Sequence, residues 1–334
     1  MVMEKYIRDR YHNGILQAAI QAYGITPAQI QLLDGFESFM YAFSREDGDF
    51  ILRIGHTHRR SIPLILGEVD WINYLAAGGA GVAPAIYSTS RRLVEVIPDG
   101  QGQDFLATAF VRAKGGPPRR GAQWNDDLFV KYGRLIGRIH KLSKTYLPAD
   151  PAWQRPEWDD PINMEITRWL SPVDQRIRDR YAAVRAHLDA LPKDPESYGL
   201  IHQDAHAGNF FVDDAGNITL FDFDDCVYSW FVYDLAMVVF YAITNREDAD
   251  EFGQHFWGLF WTGYCQENQL DPVWLQEIPT FLKLREIDLY AILQRDSNMV
   301  EIMNNPWTIN YLKDRKQRIE QDVPYTNVNF AAVA

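Results

Sequence analysis

The pattern of apolar and polar positions divides the chain into a strand-rich first third and a mainly helical remainder. Apolar residues recur at helical spacing from residue 3 to residue 23 and predict one helix, which Gly24 ends. Short apolar runs with few residues between them then predict three strands of an antiparallel sheet. These runs are residues 30–33, 39–44 and 50–54, with Asp47-Gly48 as the hairpin signal before the third.

A further helix and further strands follow in the same region. Ile65, Val69, Ile72 and Leu75 form one apolar face at helical spacing, and Gly78-Gly79 ends the predicted helix. Strands are predicted at residues 86–89, 93–97 and 105–111. The run of Gly and Pro at residues 114–118 is a strong breaker and predicts a boundary between two domains.

Helical periodicity dominates after this boundary. The predicted helices are residues 128–142 with Asn125 as the cap, a helix that starts at Ser171-Pro172, the apolar run 230–243, further helices to about 298 and a last one near 307–321. Residues 146–161 are rich in proline and are predicted to form an ordered insertion or loop.

One stretch of this half has the spacing of a catalytic loop. Residues 202–209 read H-Q-D-A-H-A-G-N, which fits the pattern H-R-D-x-x-x-x-N of phosphoryl-transfer enzymes with Gln in place of Arg. Asp222-Phe223-Asp224 stands where those enzymes have the metal-binding D-F-G, with Asp in place of Gly. The short apolar runs between the two motifs predict a hairpin that returns Asn209 and Asp222 to the same end.

The chemistry of phosphoryl transfer explains these residue types. Asp204 is the predicted base for the attacking hydroxyl, and Asn209 and Asp222 are the predicted Mg²⁺ ligands. Asp224 either adds charge to the metal site or caps the next segment. A second hypothesis is a metal-dependent hydrolase, because His202, Asp204 and His206 alternate and would share one face of a strand. That hypothesis leaves Asn209 and the D-F-D motif unexplained.

The loop resembles the H-G-D-L-H-x-G-N of the aminoglycoside phosphotransferase and choline kinase superfamily. The resemblance implies an α+β, two-lobed protein-kinase-like fold. A small antiparallel-sheet N-lobe would span residues 1–112, and a larger, mainly helical C-lobe residues 113–334. It implies ATP and Mg²⁺ as cofactors, His202 as a residue that holds the loop, and Asp234 as a brace for it. His206 replaces a kinase Lys and is expected to meet the transferred phosphate or to be structural.

The same resemblance assigns nucleotide contacts in the N-lobe. Arg53 stands on the third strand where protein kinases place a phosphate-binding Lys, and Glu68 on the next helix is its predicted ion-pair partner. The segment 34–38, which includes Ser38, is the predicted phosphate loop, although it has a single Gly. Backbone groups from Ala109 to Val111 are the expected adenine contacts. The basic run at residues 56–60 either reaches phosphate or forms a solvated loop, and the solvated loop is favoured.

Composition narrows the choice of partners. The formal net charge of −12 disfavours nucleic-acid binding, and no apolar run is long enough to span a membrane. Two cysteines, Cys226 and Cys265, and an N-terminus without an apolar core favour the cytoplasm. The sequence does not indicate an oligomeric state.

The predicted acceptor is a small molecule with a hydroxyl group. Few residues separate Asp225 from Asp234, which leaves no long activation loop as a platform for a peptide. Acidic charge, together with several tryptophans after the boundary, favours a cationic acceptor. The alternatives are a bacterial Ser/Thr protein kinase of the same superfamily and a pseudo-enzyme that binds nucleotide without turnover.

Overall fold

The structure is a computed structural model that describes residues 3–33, 35, 37–118, 123–160, 166–295 and 304–333. The chain separates into two compact units. Unit 1 comprises Met1–Gly115, Tyr146–Arg155 and Thr219–Asp224, and unit 2 comprises Gly116–Thr145, Pro156–Ile218 and Asp225–Ala334. The sequence predicted a single boundary after residue 112. The chain first passes from unit 1 to unit 2 close to this residue, after Gly115, but two later segments also belong to unit 1.

An antiparallel sheet forms the centre of unit 1. Its strands are β1 (Ile30–Leu33), β2 (Phe39–Arg45), β3 (Gly48–His56), β4 (Ala85–Ile86), β5 (Glu95–Pro98) and β6 (Asp104–Val111). The order is β1-β2-β3-β6-β4, and β5 also pairs with β6. The predicted hairpin between β2 and β3 is confirmed, with Arg45 opposite Gly48. Gly48 has a φ of +146°, which explains why glycine follows Asp47 at this turn.

The helix predicted over residues 3–23 is wrong in one respect, because the chain breaks it into α1 (Lys5–Arg10) and α2 (Asn13–Ala22). Tyr11 is extended, and its ring stacks on Phe39 at 3.6 Å between ring centroids. His12 caps α2 by accepting a hydrogen bond from the Gly14 amide at 3.1 Å. Both helices bury apolar side chains in one core, so the apolar period continues across the break and conceals it.

The later segments of unit 1 are fixed by contacts with the helix α3 (Ile62–Ala77) and with the chain that follows it. A Cβ at Gly67 would lie 1.9 Å from the Trp153 carbonyl oxygen, so the proline-rich loop packs directly against this helix. The Ala83 amide donates to the Leu220 carbonyl at 2.9 Å. Contacts between residues this distant along the chain leave no periodic signal, which is why a single boundary was predicted.

Unit 2 is mainly helical. Its helices are α4 (Asp126–Ser143), α5 (Gln175–Asp189), α6 (Phe231–Ile243), α7 (Ala249–Cys265), α8 (Ile278–Arg295), α9 (Pro306–Leu312) and α10 (Arg315–Glu320). Its strands are β7 (Tyr198–Ile201), which pairs with β10 (Val227–Trp230), and β8 (Phe210–Val212). The next strand, β9 (Ile218–Leu220), begins in unit 2 and ends in unit 1.

Two helix ends in unit 2 differ from the predictions. The helix expected from Ser171-Pro172 begins at Gln175, with Asp174 at the N-cap position. The last predicted helix is two helices, because Asp314 adopts a left-handed φ of +55° between them. The Asn125 cap of α4 is confirmed, since its side chain accepts from the Leu128 amide at 3.1 Å. Residues 296–298 of the predicted helical run lie outside the described residues.

Helix α6 lies at the centre of unit 2. Every residue from Phe231 to Ile243 except Tyr241 is buried, including the charged Asp234. A buried carboxylate requires hydrogen-bonding partners, and those of Asp234 position the loop described next. No helix in the described parts of the chain is both long enough and apolar enough to cross a lipid bilayer.

Candidate active site

The loop that follows β7 is held by Asp234. The His202 amide donates to Asp234 Oδ2 at 2.9 Å, and the Gln203 amide donates to Oδ1 at 2.7 Å. Gln203 adopts a left-handed φ of +69°, a strained conformation for a residue with a Cβ. Two charge-assisted hydrogen bonds on consecutive amides stabilise this geometry. Asp234 therefore contacts the loop as the family resemblance implies.

A chain of hydrogen bonds through buried side chains orients the Asp234 carboxylate. His140 Nε2 lies 3.2 Å from Asp234 Oδ2, and His140 Nδ1 lies 3.0 Å from the Tyr264 hydroxyl. The Asn268 amide donates to that hydroxyl at 2.7 Å. Burial lowers the pKa of His140, while Asp234 opposes this shift. A neutral ring then donates from Nε2 to the carboxylate and accepts at Nδ1 from the tyrosine.

Sequence patterns did not identify His140 as part of the site. It lies on the buried face of α4 among apolar neighbours, where a histidine is ordinarily a core residue. The one available signal was a titratable residue within an otherwise apolar helical face.

Asp204, the predicted base, has donors at both carboxylate oxygens. Arg285 donates to Oδ1 at 3.2 Å, and the Asn209 side-chain amide donates to Oδ2 at 3.2 Å. His206 Nε2 also lies 3.3 Å from Oδ2. Because His206 Nδ1 accepts from the Gly208 amide at 2.9 Å, a neutral ring has its proton on Nε2, toward Asp204.

These partners keep Asp204 ionised at neutral pH. Burial alone would raise the pKa of Asp204, but His206 and Arg285 outweigh it and hold the pKa below its usual range. The side chain is still 24% exposed, so an acceptor can reach it. Its backbone amide donates to His202 Nδ1 at 3.3 Å, which agrees with the predicted role of His202 in holding the loop.

Arg285 is a site residue that the sequence did not reveal. It lies on α8, donates to the Tyr241 hydroxyl as well as to Asp204, and lies 5.4 Å from the centre of the Tyr241 ring. The centre of the His206 ring lies 4.5 Å from the centre of the same tyrosine ring. An arginine in an amphipathic helix is usually a surface residue, so no local pattern distinguishes this one.

The predicted metal ligands have the chemistry that Mg²⁺ requires. The Asn209 side-chain NH₂ donates to the Asp204 carbonyl oxygen at 2.9 Å and to its carboxylate, so the amide oxygen is the side-chain atom that a metal would use. Asp222 is held at a left-handed φ of +65° beside Phe223, whose ring packs against Trp71 at 5.3 Å. Carboxylate and amide oxygens are the protein ligands that Mg²⁺ prefers, so the donor set fits.

In unit 1, the predicted pairing of Arg53 with Glu68 is present. The guanidinium binds the carboxylate through two parallel hydrogen bonds of 2.8 Å and 2.7 Å. Arg53 also donates from Nε to the Thr108 hydroxyl at 3.2 Å. Burial alone would lower the pKa of Arg53, but Glu68 raises it, so this arginine is a fixed cation.

The basic run after β3 is not a solvated loop, and that prediction is wrong. Arg59 Nη2 lies 2.6 Å from Asp224 Oδ2, and Arg60 Nε donates to the same oxygen at 3.2 Å. Arg59 also pairs with Glu37. Burial alone would raise the pKa of Asp224, but Arg60 and Arg59 hold it far below its usual range. The prediction failed because Asp224 is distant in sequence from both arginines.

The other residues predicted to contact the nucleotide also lie in unit 1. Ser38 and Arg53 line one small cavity, together with Arg59, Arg60 and Asp224. Positions 34 and 36 of the predicted phosphate loop lie outside the described residues. Ala109 is paired with Leu52 on one side of β6 and with Ile86 on the other. The Val111 amide donates to the Pro84 carbonyl at 2.9 Å, so this donor is engaged within the sheet.

The predicted residues therefore form one group in each unit. Asp204, His202, His206 and Asn209 lie together in unit 2, and Arg53, Glu68, Ser38 and Asp224 lie together in unit 1. The described residues contain no group of three or more His, Cys, Asp or Glu side chains that could hold a metal ion. The hydrolase hypothesis expected His202, Asp204 and His206 on one face of a strand, whereas residues 202–206 form a loop.

Comparison with known proteins relates both groups to phosphoryl transfer. A family model described as a phosphotransferase enzyme family matches residues 29–267. An amicoumacin kinase of Bacillus subtilis (strain 168) is 35% identical over 339 residues, which cover 99% of each chain.

Solved structures agree with this match. An amicoumacin kinase in complex with AMP-PNP, Ca²⁺ and Ami has a TM-score of 0.92 at 33% identity, over 99% of this chain and 100% of that one. A microcompartment-associated aminopropanol kinase has a TM-score of 0.74 at 21% identity, over 93% and 98% of the two chains, and shows the fold alone. The fold is therefore kinase-like, with an antiparallel-sheet N-lobe and a helical C-lobe. With its catalytic loop, its fold and a relative similar along the whole length, the chain belongs to the phosphotransferase enzyme family and is a small-molecule kinase.

Proposed function

We propose that this kinase uses ATP and Mg²⁺ to phosphorylate a hydroxyl group of a small molecule, and that amicoumacin is the first acceptor to test. The observation that supports a working enzyme is the state of Asp204, an ionised and partly exposed carboxylate with donors at both oxygens. A pseudo-enzyme has no need for such a group. The amicoumacin kinases similar along the whole chain support the acceptor.

Asp204 is the proposed general base. The acceptor hydroxyl attacks the γ-phosphorus, the bond from that phosphorus to the bridging oxygen breaks, and ADP leaves. Asp204 orients the hydroxyl and accepts its proton, a role that contributes about 10²–10⁴-fold to the rate. His202 and Asp234 hold the loop, and His206 orients the carboxylate through Oδ2.

Asn209 and Asp222 are the proposed Mg²⁺ ligands, through their side-chain oxygens. The metal would neutralise charge on the phosphates during transfer. Asp224 stays a third candidate, although its carboxylate would first have to leave Arg59 and Arg60. The relative solved with AMP-PNP and Ca²⁺ supports the use of a nucleotide and a divalent cation.

Arg53 is the proposed phosphate-binding cation, aligned by Glu68, and Ser38 lies in the same cavity. The backbone at Ala109 and Val111 is the proposed adenine contact. Since the Val111 amide is bonded to Pro84, its carbonyl oxygen is the more available group of that residue.

The proposal of a cationic acceptor now depends mainly on charge. Five of the tryptophans that suggested an aromatic cage are buried core residues, namely Trp158, Trp230, Trp257, Trp261 and Trp274. The prediction that these five tryptophan side chains hold a cationic acceptor is therefore wrong. The net charge of −12 still attracts a cation at long range, an effect that salt would weaken.

The test is a screen for phosphate transfer from labelled ATP with Mg²⁺. The acceptors are amicoumacin, an amino alcohol, an aminoglycoside, homoserine, a neutral sugar and a peptide. The proposal expects a labelled small molecule with the parent and none with Asp204→Asn. Labelled peptide alone would favour a protein kinase, and ATP binding without any labelled product would indicate a pseudo-enzyme.

A further inference from the structure

Two arginines that follow β3 converge on one carboxylate inside unit 1. Arg59 and Arg60 both contact Asp224 Oδ2, at 2.6 Å and 3.2 Å. Their side chains are only 20% and 12% exposed, so water screens these pairs weakly. Arg155 donates to the Asp224 carbonyl oxygen at 2.6 Å and so fixes the backbone that presents the carboxylate.

The same group lines a cavity beside Arg53. Ser38, Arg53, Arg59, Arg60, Thr108 and Asp224 are among its lining residues, and its volume is about 10 Å³. That volume accommodates about one water molecule. A phosphate group fits beside Arg53 only after the arginine pairs with Asp224 open.

Arg53, Arg59 and Arg60 each have a carboxylate partner without a ligand. Arg53 is satisfied by Glu68, Arg59 contacts Glu37 and Asp224, and Arg60 contacts Asp224. A guanidinium binds phosphate with the same two-pronged geometry that it uses for a carboxylate. Asp224 Oδ2 thus lies between two guanidinium groups. A phosphate oxygen would suit the same position equally well.

We propose that Arg59 and Arg60 form a second phosphate-binding subsite of the nucleotide site, and that Asp224 occupies it as a substitute anion in the nucleotide-free protein. Nucleotide phosphates displace the Asp224 carboxylate from the arginines when they bind. This inference deepens the proposed function, since it depends on ATP as the donor.

A purely structural role makes a different prediction. If the arginines only join Glu37 to Asp224, their loss disturbs the unit equally for every adenine ligand. If they bind phosphates, the loss of affinity grows with the number of phosphates on the ligand. Binding measured without divalent metal separates these possibilities and does not depend on turnover.

The experiment is calorimetric titration of the parent, Arg59→Gln, Arg60→Gln and the control Arg8→Gln with ATP, ADP, AMP and adenosine. Arg8 is an exposed residue of α1 in the same unit, so its variant has the same change in charge. The subsite predicts that each active-site variant binds ATP about tenfold or more weakly, a loss typical of one charge-assisted contact. Adenosine affinity should stay unchanged, and Arg59→Lys should recover part of the ATP affinity.

The variant Asp224→Asn is expected to change the affinity for ATP in the opposite direction. Removing the substitute anion should tighten metal-free ATP binding by a few-fold, because both arginines are released. Equal losses for adenosine and ATP in the arginine variants, or weaker ATP binding in Asp224→Asn, would overturn the subsite. A parent protein that transfers phosphate while its arginine variants bind ATP normally overturns only the subsite, whereas a parent that binds no ATP overturns the proposed function as well.

Discussion

The half-buried Asp204 and the buried Asp224 both have arginine partners, and their surroundings suit them to different tasks. Asp204 in unit 2 meets one arginine, one histidine and one side-chain amide, and its side chain is 24% exposed. Asp224 in unit 1 meets two arginines at one oxygen and is 11% exposed. The pKa of each is lowered by these partners against the effect of burial.

Exposure and partner type, rather than pKa alone, distinguish the proposed base Asp204 from the counter-ion Asp224. Among the described residues, Asp204 has a single arginine partner, at Oδ1, and 24% of its side chain is exposed, so an acceptor hydroxyl can approach the carboxylate. Two arginine side chains contact the Asp224 carboxylate, so it is not available to a ligand until they move. Variants at both centres and beside them test this distinction.

The largest effect is expected for Asp204→Asn, which preserves the shape of the side chain and removes the proposed base. Turnover should fall about 10²–10⁴-fold while ATP binding is retained. Steady-state kinetics and calorimetry measure the two quantities. Asp314→Asn is the matched control, since Asp314 is exposed and its left-handed φ suits asparagine. Equal turnover in parent and Asp204→Asn would remove Asp204 from the reaction.

A smaller loss is expected for Arg285→Gln, because Asp204 then keeps His206 and Asn209 but loses the donor at Oδ1. The rate constant kcat should fall about tenfold, the size of one charge-assisted hydrogen bond, with little change in the KM for ATP. Arg285→Lys should restore part of kcat. An effect on the ATP KM alone would place Arg285 in a different role.

Arg53→Met tests the cation of unit 1. If Arg53 grips phosphate, the KM for ATP should rise about tenfold or more, and Arg53→Lys should recover only part, because lysine lacks the planar fork. Glu68 would also lose its partner, so thermal melting of the variant must be compared with the parent. Unchanged ATP kinetics would make Arg53 a structural residue.

Asp288 on α8 extends the comparison to a carboxylate for which burial prevails. Burial raises its pKa from 3.8 to about 7, although Arg285 opposes the shift. The folded protein then holds a proton that the unfolded chain has released, so the parent loses stability as pH rises from about 4 to about 7. Asp288→Asn should match the parent near pH 4 and be more stable above pH 7, by at most about 4 kcal/mol. Denaturant unfolding at both pH values measures this, and equal stability at high pH would contradict it.

Sequence patterns predicted the parts of this fold that depend on local order. The strands of unit 1, the Asn125 cap and the pairing of Arg53 with Glu68 follow from period, turn residues and motif position. The break at Tyr11 was missed because an aromatic contact with Phe39 overrides an unbroken apolar period.

The missed site residues share one physical cause. Arg59, Arg60, Arg285 and His140 act through carboxylates that are distant in sequence, and nothing in their own neighbours distinguishes them from surface arginines or a core histidine. Motif spacing located Asp204 and Asp224, whereas only the fold shows which arginines contact these two carboxylates.

The most direct test of the account is the product formed from ATP, Mg²⁺ and the best acceptor of the screen, with parent and Asp204→Asn assayed side by side at equal ATP saturation. We expect phosphorylated small molecule and ADP in equal amounts with the parent, and ATP bound but scarcely consumed with the variant. Equal product from both proteins, or ADP without a phosphorylated small molecule, would contradict it.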